Sequence, residues 1–201
     1  FGTGLDNVDI DYMKSRGFVV THCPGFLSGV ALAEAALMLM LMLSRSFHEA
    51  TDNFKAGVPY RPTGKNLEGR VLALVGFGAS GRQLARRARP FGMRIFGIDI
   101  REVEPEVLDE IQPEFIGTPD DLDRVIAECD FLSLHLPLEK ETRHIIDARR
   151  IGLLKPTACI INVARGALVD EEAMHNALLE GRLGGAGIDV FSTEPPDPTL
   201  A

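Results

Sequence analysis

The chain has 201 residues, of which 45% are hydrophobic and 25% are charged. This composition is typical of a soluble globular protein, excludes a disordered or collagen-like chain, and allows one large domain or two small ones. The 21 basic and 29 acidic residues give a formal net charge of −8 without a basic stripe, so we expect no nucleic-acid partner.

The three cysteines, Cys23, Cys129 and Cys159, cannot all pair and are too far apart for a metal-binding knuckle. We therefore expect buried or inert thiols in a reducing compartment and no metal site. The N-terminus lacks a basic start followed by an apolar run, so no signal peptide is predicted. A cytoplasmic location is the expectation that follows.

The first part of the chain predicts two helices, one strand and a connection. Gly17 ends the first helix, and Ser28 is placed to cap the second. The apolar stretch 30–43 contains Glu34 and is shorter than the ~20 residues that span a bilayer, so we expect a buried or subunit-interface helix and no membrane partner. The predicted segments are residues 6–16 (helix), 18–21 (strand), 28–49 (helix) and 50–69 (connection).

From Arg70 onward, short apolar runs alternate with amphipathic segments. Strands that alternate with helices form parallel sheets, and strands that are apolar throughout belong to a sheet buried on both faces. The pattern therefore predicts an α/β fold with a doubly wound parallel sheet. The predicted strands are residues 71–75, 94–98, 131–134, 159–162 and 187–190, and the predicted helices are residues 81–91, 119–128 and 171–180.

A glycine motif follows the first of these strands. The apolar run 71–75 leads directly into Gly76, Gly78 and Gly81, spaced as G-x-G-x-x-G, and a helical pattern comes next. In this context the first glycine allows a tight turn, the second lets the backbone approach a pyrophosphate, and the third allows close packing of helix and strand. The N–H groups at the start of the helix then face the phosphates. The motif predicts a Rossmann-type dinucleotide site, although a glycine-rich turn that binds no dinucleotide is the alternative.

An acidic residue, Asp99, ends the second predicted strand. A carboxylate at this place accepts hydrogen bonds from the ribose hydroxyls of the adenosine and repels a 2′-phosphate, which favours NAD over NADP. Arg101 lies two positions further on and weakens that exclusion.

Polar side chains follow two other strands, and the carboxyl ends of parallel strands meet at one edge of the sheet. Arg165 can hold a planar carboxylate through two hydrogen bonds and polarise an adjacent carbonyl. Asp189 can accept a hydrogen bond from a nicotinamide amide, and Glu194 can raise the pKa of a neighbouring histidine. The simpler alternatives are a surface cation for Arg165, a turn or cap residue for Asp189 and a solvated loop residue for Glu194.

Taken together, these segments resemble the D-isomer-specific 2-hydroxyacid dehydrogenase family, in particular its phosphoglycerate and glycerate dehydrogenase-like members. The resemblance covers essentially the whole chain. It rests on FGTGLDNVDIDYMKSRGFVVTHCPG, on GFGASG followed by FGMRIFGID, on CDFLSLHLPLEKET, on LLKPTACIINVARGALVDEEAM, and on GGAGIDVFSTEP.

The resemblance implies an NAD-dependent oxidoreductase that transfers a hydride between NAD(H) and C2 of a small 2-hydroxy or 2-oxo acid. By match to the family motifs, Arg165 binds the substrate and orients its carbonyl, Glu194 holds and tunes the catalytic histidine, and Asp189 contacts the carboxamide. Ala79 and Ser80 fall at the pyrophosphate, where the family has a bulkier residue followed by an isoleucine. The sequence therefore supports backbone contacts to the pyrophosphate there but not side-chain contacts. Leu136 with Pro137, and Val163 with Ala164, are expected to line the adenine and nicotinamide sides of the cleft.

The resemblance also implies a domain division. Residues 1–26 correspond to the end of the substrate domain, and residues 27–201 to the NAD-binding domain with its linker helix 28–49. That helix resembles the one that family dimers bury between subunits, so a homodimer is expected.

The family's proton donor is a histidine beyond the EP motif, and none of the five histidines of the sequence occupies that place. His135, at a strand end, matches a position that is usually structural. We therefore expect a truncated form in which cofactor binding persists while turnover is low. A non-catalytic NAD-sensing module that controls association, as in the corepressor members of the family, is the alternative. Phosphoglycerate, glycerate or hydroxypyruvate, lactate and other 2-hydroxy acids are all compatible with this sequence as substrates.

Overall fold

Six parallel strands form a single sheet in the computed structural model, which describes residues 4–5 and 8–196. The strands are β1 Val71–Val75, β2 Arg94–Ile98, β3 Phe115–Gly117, β4 Phe131–Leu134, β5 Cys159–Asn162 and β6 Gly185–Ile188. The helices are α1 Ile10–Ser15, α2 Gly25–Ser44, α3 Phe47–Lys55, α4 Ala79–Ala88, α5 Pro105–Ile111, α6 Leu122–Glu128, α7 Ala148–Ile151 and α8 Glu171–Leu179.

The strand order is β3-β2-β1-β4-β5-β6. The chain moves outward from β1 through β2 to β3 and then crosses back to β4 on the other side of β1. The direction of winding reverses between β1 and β4, which is the topological switch point where open α/β sheets bind ligands. The predicted α/β fold with a doubly wound parallel sheet is confirmed.

The two faces of the sheet are both buried, as the continuous apolar strands predict. Along β1, Val71, Ala73 and Val75 pack into one hydrophobic cluster with α6 and α8, whereas Leu72 and Leu74 pack into a second with α2 and α4. This alternation gives the strand no solvent-facing side.

The long apolar helix α2 packs against α4, β5 and β6. Ala33, Ala36 and Met40 on its inner face are buried, while Leu27 and Met38 are among the large side chains that remain exposed. Within the described ranges, α2 is the one helix that by length and composition alone could cross a membrane. A membrane span was excluded from the sequence because the apolar stretch 30–43 is too short. That argument from length was wrong, because the helix begins at Gly25 and has 20 residues.

The predicted helix 28–49 is two helices. Ser46 adopts a left-handed conformation with φ 47°, so α2 ends at Ser44 and α3 begins at Phe47. Ser28 does not cap α2; it lies inside the helix, where its hydroxyl donates to the Gly25 carbonyl at 3.4 Å. The expected connection at residues 50–69 therefore starts later, after Lys55.

The N-terminal segment also differs from the prediction. The structure places α1 from Ile10, capped by the Asp9 carboxylate, and residues 6–7 of the predicted helix lie outside the described residues. Residues 18–21 form no strand, and Val19 is 90% exposed because no neighbouring strand in the described part of the chain pairs with it. A β-prone run without a partner edge is not a strand.

The remaining differences lie after β1. Four short elements were not predicted, namely α5, β3, α7 and a 3-10 turn at Gly166–Leu168. Strand β6 lies two residues before the predicted 187–190, because it pairs in register with β5 through glycines and alanine that carry no apolar signal. Predicted helices 81–91 and 119–128 each include a 3-10 turn, Arg89–Phe91 at the end of the first and Pro119–Asp121 at the start of the second.

Candidate functional site

A cleft of about 520 Å³ lies at the carboxyl ends of β1, β4 and β5, beside the switch point. Eight of the predicted site residues line it. They come from the loops that follow three strands: Gly78, Ala79 and Ser80 after β1, Leu136 and Pro137 after β4, and Val163, Ala164 and Arg165 after β5. Ser28 and Leu32 of α2, together with Arg101 and His135, complete much of the remaining wall.

The glycine turn between β1 and α4 has room for backbone only. Gly76 has φ +97°, and a methyl group there would lie 2.6 Å from the His135 carbonyl oxygen. A methyl group at Gly81 would lie 2.2 Å from the Gly76 carbonyl oxygen. A methyl group at Gly78 would meet only Nη2 of Arg101, at 3.3 Å, so this glycine is open towards the cleft. The turn therefore has the close approach that a pyrophosphate requires.

The start of α4 faces this cleft. Within the described residues no side chain caps the helix, whose N-cap is Gly78. The first N–H groups of a helix have no partner within the helix and carry a partial positive charge. Ala79 and Ser80, the first two residues of α4, thus present backbone donors of the kind that bind phosphate.

Asp99 lies just beyond β2 and is 8% exposed. Its Oδ2 accepts a hydrogen bond from the Phe77 N–H at 2.9 Å, and its Oδ1 accepts from the Arg101 N–H at 3.0 Å and from Arg101 Nε at 3.2 Å. Burial favours a higher pKa for Asp99, but these hydrogen bonds together lower the pKa below its ordinary value. The carboxylate is therefore ionised at neutral pH, and it holds both the glycine turn and Arg101.

His135 lies beneath the glycine turn and bridges two serines. Its Nδ1 is 3.0 Å from Ser80 Oγ and its Nε2 is 3.0 Å from Ser133 Oγ. Burial lowers the pKa of His135 to about 4, so the ring is neutral at pH 7. The sequence does not mark Ser133 as a site residue, although its position two residues before His135 on a strand puts both side chains on one face.

The loop that carries Arg165 is held by a buried amide that the sequence also leaves unmarked. Asn162, at the end of β5, donates from Nδ2 to the Arg165 carbonyl at 2.8 Å and accepts at Oδ1 from the Ala164 N–H at 3.1 Å. Arg165 itself donates from Nη1 to the Ala164 carbonyl at 2.7 Å. A polar residue at the end of an otherwise apolar strand was the available signal.

Five predicted site residues do not line the cleft within the described part of the chain, namely Gly76, Gly81, Asp99, Asp189 and Glu194. Asp189 is exposed and donates its N–H to the Asn162 carbonyl at 3.0 Å. Glu194 is exposed too, and its Oε1 accepts from the Phe191 N–H at 3.0 Å.

The loop 189–194 nevertheless touches the Arg165 loop. A methyl group at Gly166 would lie 1.9 Å from the Phe191 carbonyl carbon, so the two backbones are in contact there. Glu171, at the start of α8, accepts a hydrogen bond from the Ser192 N–H at 2.7 Å. The structure thus brings Arg165 and Glu194 onto two neighbouring loops, each anchored by a residue that sequence reasoning missed.

A second depression, of about 600 Å³, lies at the opposite ends of the strands, and its cations are engaged in ion pairs. Arg70 and Lys155 both pair with Asp130 at 3.4 Å, and Arg94 pairs with Glu114. None of the predicted site residues lines it, and the glycines of the G-x-G-x-x-G turn are likewise outside its lining.

The structure also locates the thiols. Burial raises the pKa of Cys129 to about 12 and that of Cys159 to about 11, so both are protonated and unreactive at neutral pH. Cys23 is partly buried. Among the described residues, no group of three or more His, Cys, Asp or Glu side chains could hold a metal ion.

Known proteins with similar sequences include two kinds of 2-oxo acid reductase. The chain is 41% identical over 204 residues to a glyoxylate reductase of Thermococcus litoralis, covering 97% of this chain and 60% of that protein. It is 41% identical over 197 residues to a hydroxypyruvate reductase of Thermotoga maritima, covering 97% of this chain and 61% of that protein. The chain thus spans about 60% of the length of these curated relatives.

A solved structure shows the same fold. The crystal structure of a D-lactate dehydrogenase from Aquifex aeolicus, complexed with NAD and lactic acid, is 32% identical with a TM-score of 0.86, covering 96% of this chain and 57% of the other. Residues 37–201 match the sequence model of the family's NAD-binding domain, described as "D-isomer specific 2-hydroxyacid dehydrogenase, NAD binding domain". The chain therefore belongs to the D-isomer-specific 2-hydroxyacid dehydrogenase family, and it contains the NAD-binding domain of that family.

Proposed function

We propose that this chain is the cofactor-binding part of an NAD-dependent 2-hydroxyacid dehydrogenase, which transfers a hydride between NAD(H) and C2 of a 2-hydroxy or 2-oxo acid. The observation that carries the proposal is that Gly78 and Arg165 line the same cleft. A phosphate-binding turn and a carboxylate-binding cation therefore face one space. The names of the relatives, glyoxylate and hydroxypyruvate reductases, support a short 2-oxo acid as the substrate.

The residues present fit a dinucleotide. The cradle at Gly76 and Gly81 leaves no room for side chains, so the backbone itself can reach the ligand. In the proposed complex the first N–H groups of α4 hold the pyrophosphate and the ionised Asp99 accepts from the ribose hydroxyls. Leu136 with Pro137, and Val163 with Ala164, provide the apolar walls for the two bases, and Asp189 receives the carboxamide. When bound, NAD(H) supplies or accepts the hydride.

Arg165 has the chemistry of the substrate-binding residue. Its guanidinium can bind the substrate carboxylate through two hydrogen bonds, and its charge can stabilise the negative charge that develops on the carbonyl oxygen. Asn162 fixes the backbone on which Arg165 stands. Glu194, on the neighbouring loop, is proposed to hold and tune the histidine that delivers the proton.

None of the five histidines of this sequence fits that proton donor. Of these, His135 is the one that lines the cleft, and its ring is neutral and held by two serines. We therefore propose that these 201 residues alone bind NADH and turn over 2-oxo acids slowly.

Titration of the purified chain with NADH, followed by nucleotide fluorescence, tests the proposal. We expect saturable binding that ADP-ribose competes away. Absence of binding at millimolar NADH would contradict a dinucleotide site. Rapid oxidation of a 2-hydroxy acid by these 201 residues would show that the family's proton-donating histidine is dispensable.

We also propose a cytoplasmic homodimer formed through α2. This helix exposes Phe26, Leu27, Val30 and Met38, which is a large apolar surface for one element. The same surface favours the second candidate, a non-catalytic module whose association NAD controls. Oligomerisation that depends on NADH, in a full-length protein without dehydrogenase activity, would favour this second candidate over the enzyme.

A further inference from the structure

A chain of hydrogen bonds leads from the interior of the sheet to the surface of the cleft. It begins at Ser133 on β4, passes through the ring of His135, and ends at Ser80 in the first turn of α4. Both contacts are 3.0 Å long. Ser133 is fully buried and Ser80 lines the cleft. These hydrogen bonds therefore connect the protein interior with the surface of the cleft.

The buried end determines how the hydrogens are arranged. Among the described residues, the Ser133 hydroxyl has His135 Nε2 as its hydrogen-bond partner and no other. Its hydrogen must therefore be donated to Nε2, because a buried hydroxyl hydrogen without an acceptor is costly. A neutral imidazole has one donor and one acceptor nitrogen, so Nδ1 carries the ring hydrogen and donates it to Ser80 Oγ.

This arrangement fixes which hydrogen-bonding role the Ser80 hydroxyl has on each side. Its oxygen accepts from His135, so its own hydrogen is available to a ligand in the cleft. The burial that keeps the His135 ring neutral is consistent with this arrangement, since a charged ring would donate from both nitrogens.

We propose that the Ser80 hydroxyl donates a hydrogen bond to the pyrophosphate of NAD, and that His135 and Ser133 are positioning residues that orient this hydroxyl. The inference rests on the proposed dinucleotide site and adds a side-chain donor to its backbone donors. It differs from the expectation of backbone contacts alone at residues 79 and 80. Ser80 stands beside Gly78 in the turn that faces the phosphates, which puts the donor at the negatively charged part of the ligand.

The test compares ligands with and without a pyrophosphate by isothermal titration calorimetry. In Ser80→Ala, the Kd values for NADH and ADP-ribose should rise about tenfold, the effect of losing one hydrogen bond to a charged group, while the Kd for adenosine stays unchanged. Ser80→Thr keeps the hydroxyl and should restore the Kd for ADP-ribose to within about threefold of wild type. Adenosine is thus the matched control in each variant.

The positioning role has its own readout. Ser133→Ala leaves Ser80 in place but frees the ring of His135 to reverse its hydrogens, so the Kd for ADP-ribose should rise by a smaller factor. In the double variant Ser80→Ala/Ser133→Ala, the Ser133 change should have no further effect, because its influence acts through Ser80.

The outcomes separate this inference from the proposed function. If wild type binds NADH and Ser80→Ala binds ADP-ribose equally well, the inference is overturned and the dinucleotide site stands. An equal loss of adenosine and ADP-ribose in Ser80→Ala would also overturn it, since the effect would then be a general disturbance of the cleft. If wild type binds no NADH, the proposed function itself is wrong.

Discussion

The carboxylate of Asp99 accepts a hydrogen bond from the backbone N–H of Phe77 at 2.9 Å, which ties the end of β2 to the middle of the glycine turn. The same carboxylate holds the Arg101 side chain, whose Nη2 lies against Gly78. The buried carboxylate of Asp99 therefore holds the glycine turn in place and fixes the position of the Arg101 charge beside the proposed ribose site.

Replacing Asp99 with Asn should change cofactor preference. Removing the charge weakens binding to the ribose hydroxyls and ends the repulsion of a 2′-phosphate, which Arg101 can then attract. We expect the ratio of NADH affinity to NADPH affinity to fall at least about tenfold, as measured by fluorescence titration. We also expect a loss of about 1–3 kcal/mol in the free energy of unfolding, because the Phe77 and Arg101 donors lose a charged acceptor.

Glu114→Gln is the matched control for Asp99→Asn. Glu114 is a carboxylate that also pairs with an arginine, Arg94, but on the exposed surface. Its replacement should leave both the free energy of unfolding and the cofactor ratio nearly unchanged. An unchanged ratio in Asp99→Asn would contradict the role of this carboxylate at the ribose.

Two glycines of the turn should respond differently to alanine. In Gly81→Ala the new methyl group meets the Gly76 carbonyl oxygen, a backbone atom that cannot yield easily. We expect a loss of about 3 kcal/mol, seen as a Tm lower by roughly 6–12 °C, together with weak NADH binding.

In Gly78→Ala the methyl group meets only the end of the Arg101 side chain, which can move aside. We expect a change of less than about 1 kcal/mol in stability, with a Kd for NADH at least tenfold higher, because the methyl group occupies the approach to the pyrophosphate. The pair thus separates a folding role from a binding role. A Gly78→Ala variant with wild-type affinity would show that the ligand does not approach this glycine.

His135 should make stability fall in mild acid. Its pKa is about 4 in the folded protein and about 6.5 in the unfolded chain, so between these values the unfolded chain binds more protons. Its contribution to stability is therefore complete above pH 6.5 and declines as the pH falls towards 4, by on the order of 3 kcal/mol. Urea unfolding of wild type and of His135→Gln between pH 4 and pH 6.5 measures this change in the free energy of unfolding.

The His135→Gln variant should lose this part of the pH dependence. His48→Gln is the control, since His48 is exposed on α3, and it should keep the wild-type slope. Parallel slopes for wild type and His135→Gln would contradict a His135 ring that is neutral in the folded protein.

A charge on the exposed face of α2 should disrupt the proposed dimer. Met38 is 53% exposed on the same face as Glu34, and Met38→Glu would add a second carboxylate to the apolar surface of the proposed interface. We expect sedimentation velocity to show a dimer for wild type and a monomer for Met38→Glu. Leu179→Glu, at a 74% exposed position on α8, is the control and should remain dimeric. A wild-type monomer would contradict the interface.

The parts of the fold that follow from local rules were predictable from sequence. The glycine spacing after β1 restricts the backbone directly, and the apolar strands reveal a sheet buried on both faces. The break at Ser46 gave no such signal, since a serine with φ 47° is held by its surroundings rather than by its residue type. The placement of β6 depended on pairing with β5, which is a tertiary contact.

The same distinction applies to the candidate site. Arg165 could be predicted because it stands at a strand end beside a glycine, and the structure does place it in the cleft. Glu171 could not, because its importance lies in a hydrogen bond to a distant segment. Asn162 and Ser133 gave only a weak signal, a polar residue in an otherwise apolar strand, and the hydrogen bonds that make them important appear only in the structure.

The contact between Gly166 and Phe191 has a mechanical consequence. Since neither backbone can move towards the other, a displacement of the Arg165 loop towards Phe191 would push the Glu194 loop in the same direction. The backbones alone thus set a minimum distance between the proposed substrate-binding side chain and the proposed partner of the proton donor. A larger residue at Gly166 would force the two loops apart and change that distance without altering either side chain.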